Sequence, residues 1–232
     1  MTWKRSEPAP SCASCEHDTS KRACRVEGGP ASKGCPTLLH KEILSEANAC
    51  YQEPDIREFA RQASRQEGEC YANRHQRPYV MQPTKPRILE ICEFAKKMGY
   101  RKLGLAFCIG LAREAKAVEE VFQLHGFQVV SVVCKAGRTP KEFIGILEEE
   151  KIYQGTEEAM CNPIYQAKLL NQQATELNVL LGLCVGHDSL FLKHSQAPTT
   201  VLAVKDRVTG HNPLAAIYLL DSYYRKLKHP DI

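Results

Sequence analysis

From Pro86 onward, two hydrophobic periods alternate along the chain. Residues 102–107, 127–133, 177–183 and 199–204 are short, almost wholly apolar runs, which predicts strands buried on both faces. Between them the apolar positions recur at helical spacing. Ile88, Ile91, Cys92, Ala95 and Met98 make one helical face that stops at Gly99. Further helices are expected over 110–125, 140–150, 163–174 and 189–193, with a closing helix over 213–227. Apolar strands alternating with helices define an α/β fold with a parallel sheet covered on both sides. Right-handed crossovers give four strands the economical order 2-1-3-4 and place every strand's C-terminal end on one edge. In that order the switch point lies between the first and third strands, where such folds bind ligands.

The first part of the chain reads differently. Residues 1–40 are rich in Cys, Ser, Pro, Gly and Lys and poor in branched aliphatics, so they cannot bury a core. Such a segment needs a staple, and a bound metal serves. Residues 37–72 follow a helical period, interrupted at Pro54, and 78–86 carry the prolines of a connector. The expected organisation is a Cys-rich metal-binding segment over 1–40, a helical region with connector over 41–85, and the α/β domain over 86–232.

Composition narrows the function. A length of 232 residues, 43% hydrophobic and 25% charged, suits one globular domain with a small appendage. A net charge of +4 without a basic stripe or interleaved aromatics argues against a nucleic-acid partner. No run approaches the roughly 20 apolar residues of a membrane span, and the N-terminus carries no secretory pattern, so a cytoplasmic location is expected. Eleven cysteines in a reducing compartment point to metal or redox chemistry; an odd number also leaves one outside any fully paired disulfide set.

Eight of those cysteines form two sets. The N-terminal set reads Cys12-x2-Cys15-x8-Cys24-x10-Cys35-Pro36. A Cys-x2-Cys turn lets two thiolates reach one ion, and two more cysteines complete a four-thiolate shell for an iron–sulfur cluster or for zinc, with His17 as an alternative ligand. The second set, Cys108, Cys134, Cys161 and Cys184, lies where strands end or helices begin. Buried cysteines are ordinarily small hydrophobes, but four on one edge, several near glycines, suggest a shared cluster or metal site. Cys92 reads as core, while Cys70 is a spare ligand.

His187 and Asp188 follow the third strand directly and form a candidate proton-transfer pair, although an Asp there commonly caps the next helix. Lys205, Arg207 and His211 add positive charge suited to a substrate carboxylate or phosphate. No Gly-x-Gly-x-x-Gly, Walker lysine or Gly-x-Ser-x-Gly elbow is present.

Met160-Cys161-Asn162-Pro163, Gly182-Leu183-Cys184-Val185-Gly186-His187-Asp188-Ser189, Lys205-Asp206-Arg207 and His211-Asn212-Pro213 resemble a prokaryotic family of cysteine-rich proteins, domain of unknown function 1847. The resemblance extends over most of the chain, including the N-terminal Cys-x2-Cys and the Cys35-Pro36 step. It implies metal binding and no particular activity.

The leading expectation is therefore an iron–sulfur protein. A [4Fe–4S]-type cluster or zinc would sit on Cys12, Cys15, Cys24 and Cys35, and a second site on some of Cys108, Cys134, Cys161 and Cys184. A small-molecule substrate or an electron-transfer partner would complete the function. The rivals are a non-enzymatic zinc protein and a thiol enzyme using Cys184 beside His187.

Overall fold

The computed structural model describes residues 9–231. Contacts divide the chain into two compact units, residues 1–65 and 66–232.

The first unit opens with a 3-10 turn, Cys12–Ser14, and continues through turns to α1 (Pro36–Leu39) and α2 (Lys41–Cys50). The boundary between the units falls within α3 (Pro54–Glu69). Pro36 and Pro54 stand at helix starts, where a missing N–H costs nothing. From residue 9 to residue 61, Gly34 alone is buried. Among its described residues this unit has no apolar core, which the composition of residues 1–40 predicts for that segment.

The second unit contains the expected parallel α/β fold. The strands are β1 (Lys102–Phe107), β2 (Gln128–Val133), β3 (Leu177–Leu183) and β4 (Thr199–Val204). All pairings are parallel, in the order β2-β1-β3-β4. The alternation of side chains along each strand sorts the core onto two faces. Leu103, Leu105, Val179 and Leu181 pack with α4 (Arg87–Lys97) and α5 (Ala112–Leu124) through Ile91, Cys92, Ala95, Val118 and Phe122. Ala106, Val132 and Leu180 face α6 (Pro163–Gln172) and α7 (His187–His194) through Ala167, Leu170 and Phe191. Phe122 and Phe191 are fully buried, one per face, each contributing about 2–3 kcal/mol.

β3 is buried at all seven positions, yet it contains Asn178. That amide accepts from Thr175 Oγ1 at 2.8 Å and donates to Ser195 Oγ at 2.9 Å, so its burial is compensated. On edge strand β4, Arg87 donates to the Val201 carbonyl at 2.6 Å.

One expected helix is absent and another is shortened. Over 140–150 the chain forms 3-10 turns at Lys141–Ile144 and Glu148–Glu150, separated by Gly145 at φ 81°. Phe143, Ile144 and Leu147 are exposed, so no face is buried to hold a helix. Glu158 dominates instead, pairing with Lys141 at 2.8 Å and accepting from Ile152 N–H at 2.9 Å. The closing helix is reduced to α8 (Leu214–Tyr218), followed by turns and a 3-10 segment at Arg225–Lys228. Its apolar residues Ile217, Tyr218, Tyr223 and Leu227 are likewise exposed. No helix among the described residues is long and apolar enough to cross a membrane.

Candidate functional site

The second unit gathers thiols at the carboxyl edge of the sheet, and the strand register explains how. Phe107 pairs with Val133, so the next residues, Cys108 and Cys134, leave the ladder side by side. Ala106 and Val132 set their common direction, toward α6 and α7, and both cysteines pack there. Cys134 N–H donates to the Phe107 carbonyl at 2.8 Å, and Cys108 N–H to that of Leu181 at 3.0 Å. Cys161 arrives from 27 residues further on. The excursion between β2 and α6 is closed at its base by Met160 N–H to Thr139 at 2.8 Å and Asn162 N–H to Cys134 at 2.7 Å. Lys135 Nζ donates to the Ala159 carbonyl across the same base. Asn162 then caps α6 by accepting from Tyr165 N–H at 3.0 Å.

The outcome is a chain of sulfurs. Cys134 and Cys161 Sγ atoms stand 3.6 Å apart, and Ile109 N–H approaches Cys134 Sγ at 3.4 Å. Hydrogen bonding to Cys134, with help from Gly110 N–H and Lys205, holds the Cys108 thiol well below its ordinary range despite burial. Contacts with Cys134 and then His187 do the same for Cys161. Hydrogen bonding to Cys108 and then to Cys161, with burial, drives the Cys134 thiol strongly upward. The Cys161 contact also raises His187, favouring its imidazolium form.

Cys184 stands apart from this chain, accepting from Arg207 Nη2 at 3.1 Å. A bulge in β3 accounts for it. The β3–β4 register shifts around Gly182, which adopts φ 69°. Leu180 already faces α6 and α7, and after the shift Leu183 does too. Cys184, which strict alternation would align with Leu180, falls out of phase. Asp188 is not the N-cap, which is Gly186; its carboxylate accepts from Ser189 N–H at 2.8 Å, and its charge adds to the raising of the adjacent His187.

One residue central to this edge has no sequence signal. Gln166 of α6 is fully buried and donates through Nε2 to the carbonyls of Val132 at 2.7 Å and Phe107 at 3.2 Å. It ties β1 to β2 immediately below Cys108 and Cys134.

The first unit holds the other set. Cys12, Cys15, Cys24 and Cys35 all line one cavity of about 50 Å³, room for more than one water. His17, the alternative ligand, is not among the lining residues. The Cys-x2-Cys step folds as a 3-10 turn, with Cys15 N–H reaching the Cys12 carbonyl at 3.3 Å. Arg22 fixes the turn that follows, donating to the carbonyls of Cys15 at 2.9 Å and His17 at 2.8 Å. Ser32 Oγ donates to Cys15 Sγ at 3.3 Å; that bond, with Arg22 nearby, lowers the Cys15 thiol. Arg22 and Lys33 also line the cavity, setting positive charge beside the four sulfurs. Among the described residues, no group of three or more His, Cys, Asp or Glu is placed so that it could hold a metal ion. Cys70 is buried and donates to the Gln66 carbonyl at 3.0 Å, and Cys92 lies in the core.

These features define a class: a parallel α/β protein with thiols on its carboxyl edge, preceded by a cysteine-lined segment. The chain belongs to the family described as "Protein of unknown function (DUF1847)", whose profile matches residues 35–202. It is 51% identical, over 148 residues, to an uncharacterized protein of Methanocaldococcus jannaschii, covering 64% of this chain and 72% of that relative. The matched region is narrower than the resemblance drawn from sequence. It includes the edge thiols, Gln166 and His187, but Cys12, Cys15 and Cys24 precede it, and Lys205, Arg207 and His211 follow it.

Proposed function

We propose that this protein is an iron–sulfur protein whose cluster is held in the N-terminal segment by Cys12, Cys15, Cys24 and Cys35. One observation carries the reading: all four thiols line a single cavity in a segment that buries no core of its own. Four thiolates are the donor set of an iron–sulfur cluster, with a zinc ion as the alternative occupant. The surroundings suit an anionic thiolate cluster. Ser32 donates to Cys15, Arg22 clamps the Cys-x2-Cys turn, and Arg22 and Lys33 supply compensating charge. When bound, such a cluster supplies one-electron transfer, and the partner is an electron-transfer protein or small molecule in a compartment where thiols stay reduced. The protein residues bind the group, tune its charge and order the segment around it.

The test is a visible absorption spectrum of the anaerobically purified chain. The reading predicts a brown protein with a broad sulfur-to-iron band in its visible spectrum. A colourless protein that retains zinc contradicts it.

A further inference from the structure

We propose that Cys134 and Cys161 are a reversible dithiol–disulfide couple acting on small, negatively charged disulfides. This inference is independent of the N-terminal cluster, since it rests only on the sheet edge of the second unit.

Four observations support it. The two sulfurs are 3.6 Å apart, so a movement under about 2 Å brings them to bonding distance. The Asn162 N–H bond to the Cys134 carbonyl, at 2.7 Å, ties the two backbones together beside the pair. The pair is asymmetric: Cys134 is 2% exposed, whereas Cys161 is only partly covered and is the sulfur a substrate meets. Finally, His187 contacts Cys161 as a proton source. Cys161 also sits just before the N-terminus of α6, a position that favours a thiolate.

Charge at this edge selects the substrate. Lys205 approaches Cys108, Lys135 lies near Cys161, and Arg207 contacts Cys184. Of the nearby carboxylates, Asp188 accepts from Ser189 N–H, and Asp206 accepts from Val208 and Thr209 N–H. A disulfide carrying carboxylates meets net positive charge.

The steps balance. Cys161 thiolate attacks one sulfur of the substrate, forming a mixed disulfide and breaking the substrate S–S bond. The departing thiolate takes a proton from His187. Cys134 then attacks the Cys161 sulfur, closing the protein disulfide and expelling the second thiolate, which receives the proton that Cys134 gives up through His187. Two protein thiols are oxidised and one disulfide is reduced to two thiols.

The test uses the full chain, reduced and then exposed to oxidised glutathione or, separately, to the cationic disulfide cystamine. Non-reducing tryptic mapping is expected to find peptide 117–135 joined to peptide 152–168. Cys134→Ser should leave glutathione trapped on Cys161, and Cys161→Ser should prevent oxidation of Cys134 by the probe. Cys184→Ala should preserve the link. Oxidised glutathione should react about tenfold faster than cystamine at low salt. Absence of the linked peptide, a Cys108–Cys134 link in its place, or metal lost on Cys161→Ser overturns the couple. Equal rates for the two probes overturn the charge selection. The link should form equally in Cys15→Ser, so a failed cluster reading and a failed couple give different results.

Discussion

Gln166 shows how much of a site can rest on one amide. Its Nε2 bridges the carbonyls of Val132 and Phe107 beneath two of the edge thiols, while the Phe107 carbonyl also accepts from Cys134 N–H. Replacing it with Leu removes both of these hydrogen bonds from the buried amide, at a cost of about 1–3 kcal/mol, to be read as a lowered thermal midpoint. Nothing in sequence marked Gln166, because a polar residue inside a helical pattern defaults to the solvent face and its burial is a tertiary fact. Cys161 and His187 were legible separately, as a helix-start thiol and a post-strand imidazole; their contact was not. That contact fixes a pH prediction. A lowered thiol is already thiolate at neutral pH, and reactivity falls only as pH drops through the lowered value. Alkylation of Cys161 should therefore stay nearly level from pH 8 to pH 6, where an ordinary thiol slows about a hundredfold. His187→Gln should move the fall to higher pH.

β3 carries the most information of any element. Its run of apolar residues marked it as a central strand, which it is, with β1 and β4 on either side. The bulge at Gly182 was hidden, and with it the reason Cys184 departs from the other thiols. A Cβ at Gly182 would run into the Leu111 side chain, at a positive φ that L residues rarely adopt. Gly182→Ala should thus destabilise the domain by several kcal/mol, seen in urea unfolding. The missing helix and the shortened one teach the converse. Periodicity over 140–150 and 213–227 is real, but those faces have no apolar surface to cover, and helices that short need one. In the N-terminal segment order is expected to come from bound metal. Cys15→Ser should accelerate limited proteolysis there by tenfold or more while leaving residues 86–232 resistant, as gel and mass analysis of the fragments will reveal.

Taken as one chain, the protein was most readable where packing alone decides. Strand order 2-1-3-4 follows from crossover handedness and economy of connection, and both are properties of any apolar α/β pattern. Thiol clustering was partly readable, since strand ends share an edge. Which thiols meet depended on register, a bulge and a loop base, none of them encoded in spacing. For the chain as a whole, the N-terminal cysteines are proposed to hold an iron–sulfur cluster. Iron and acid-labile sulfide analysis of anaerobically purified variants tests it most directly. Iron and sulfide should be present in equal amounts in the parent and in Cys134→Ser, and lost in Cys15→Ser and Cys35→Ser. Iron and sulfide missing from the parent, or unchanged by both N-terminal substitutions, would contradict it.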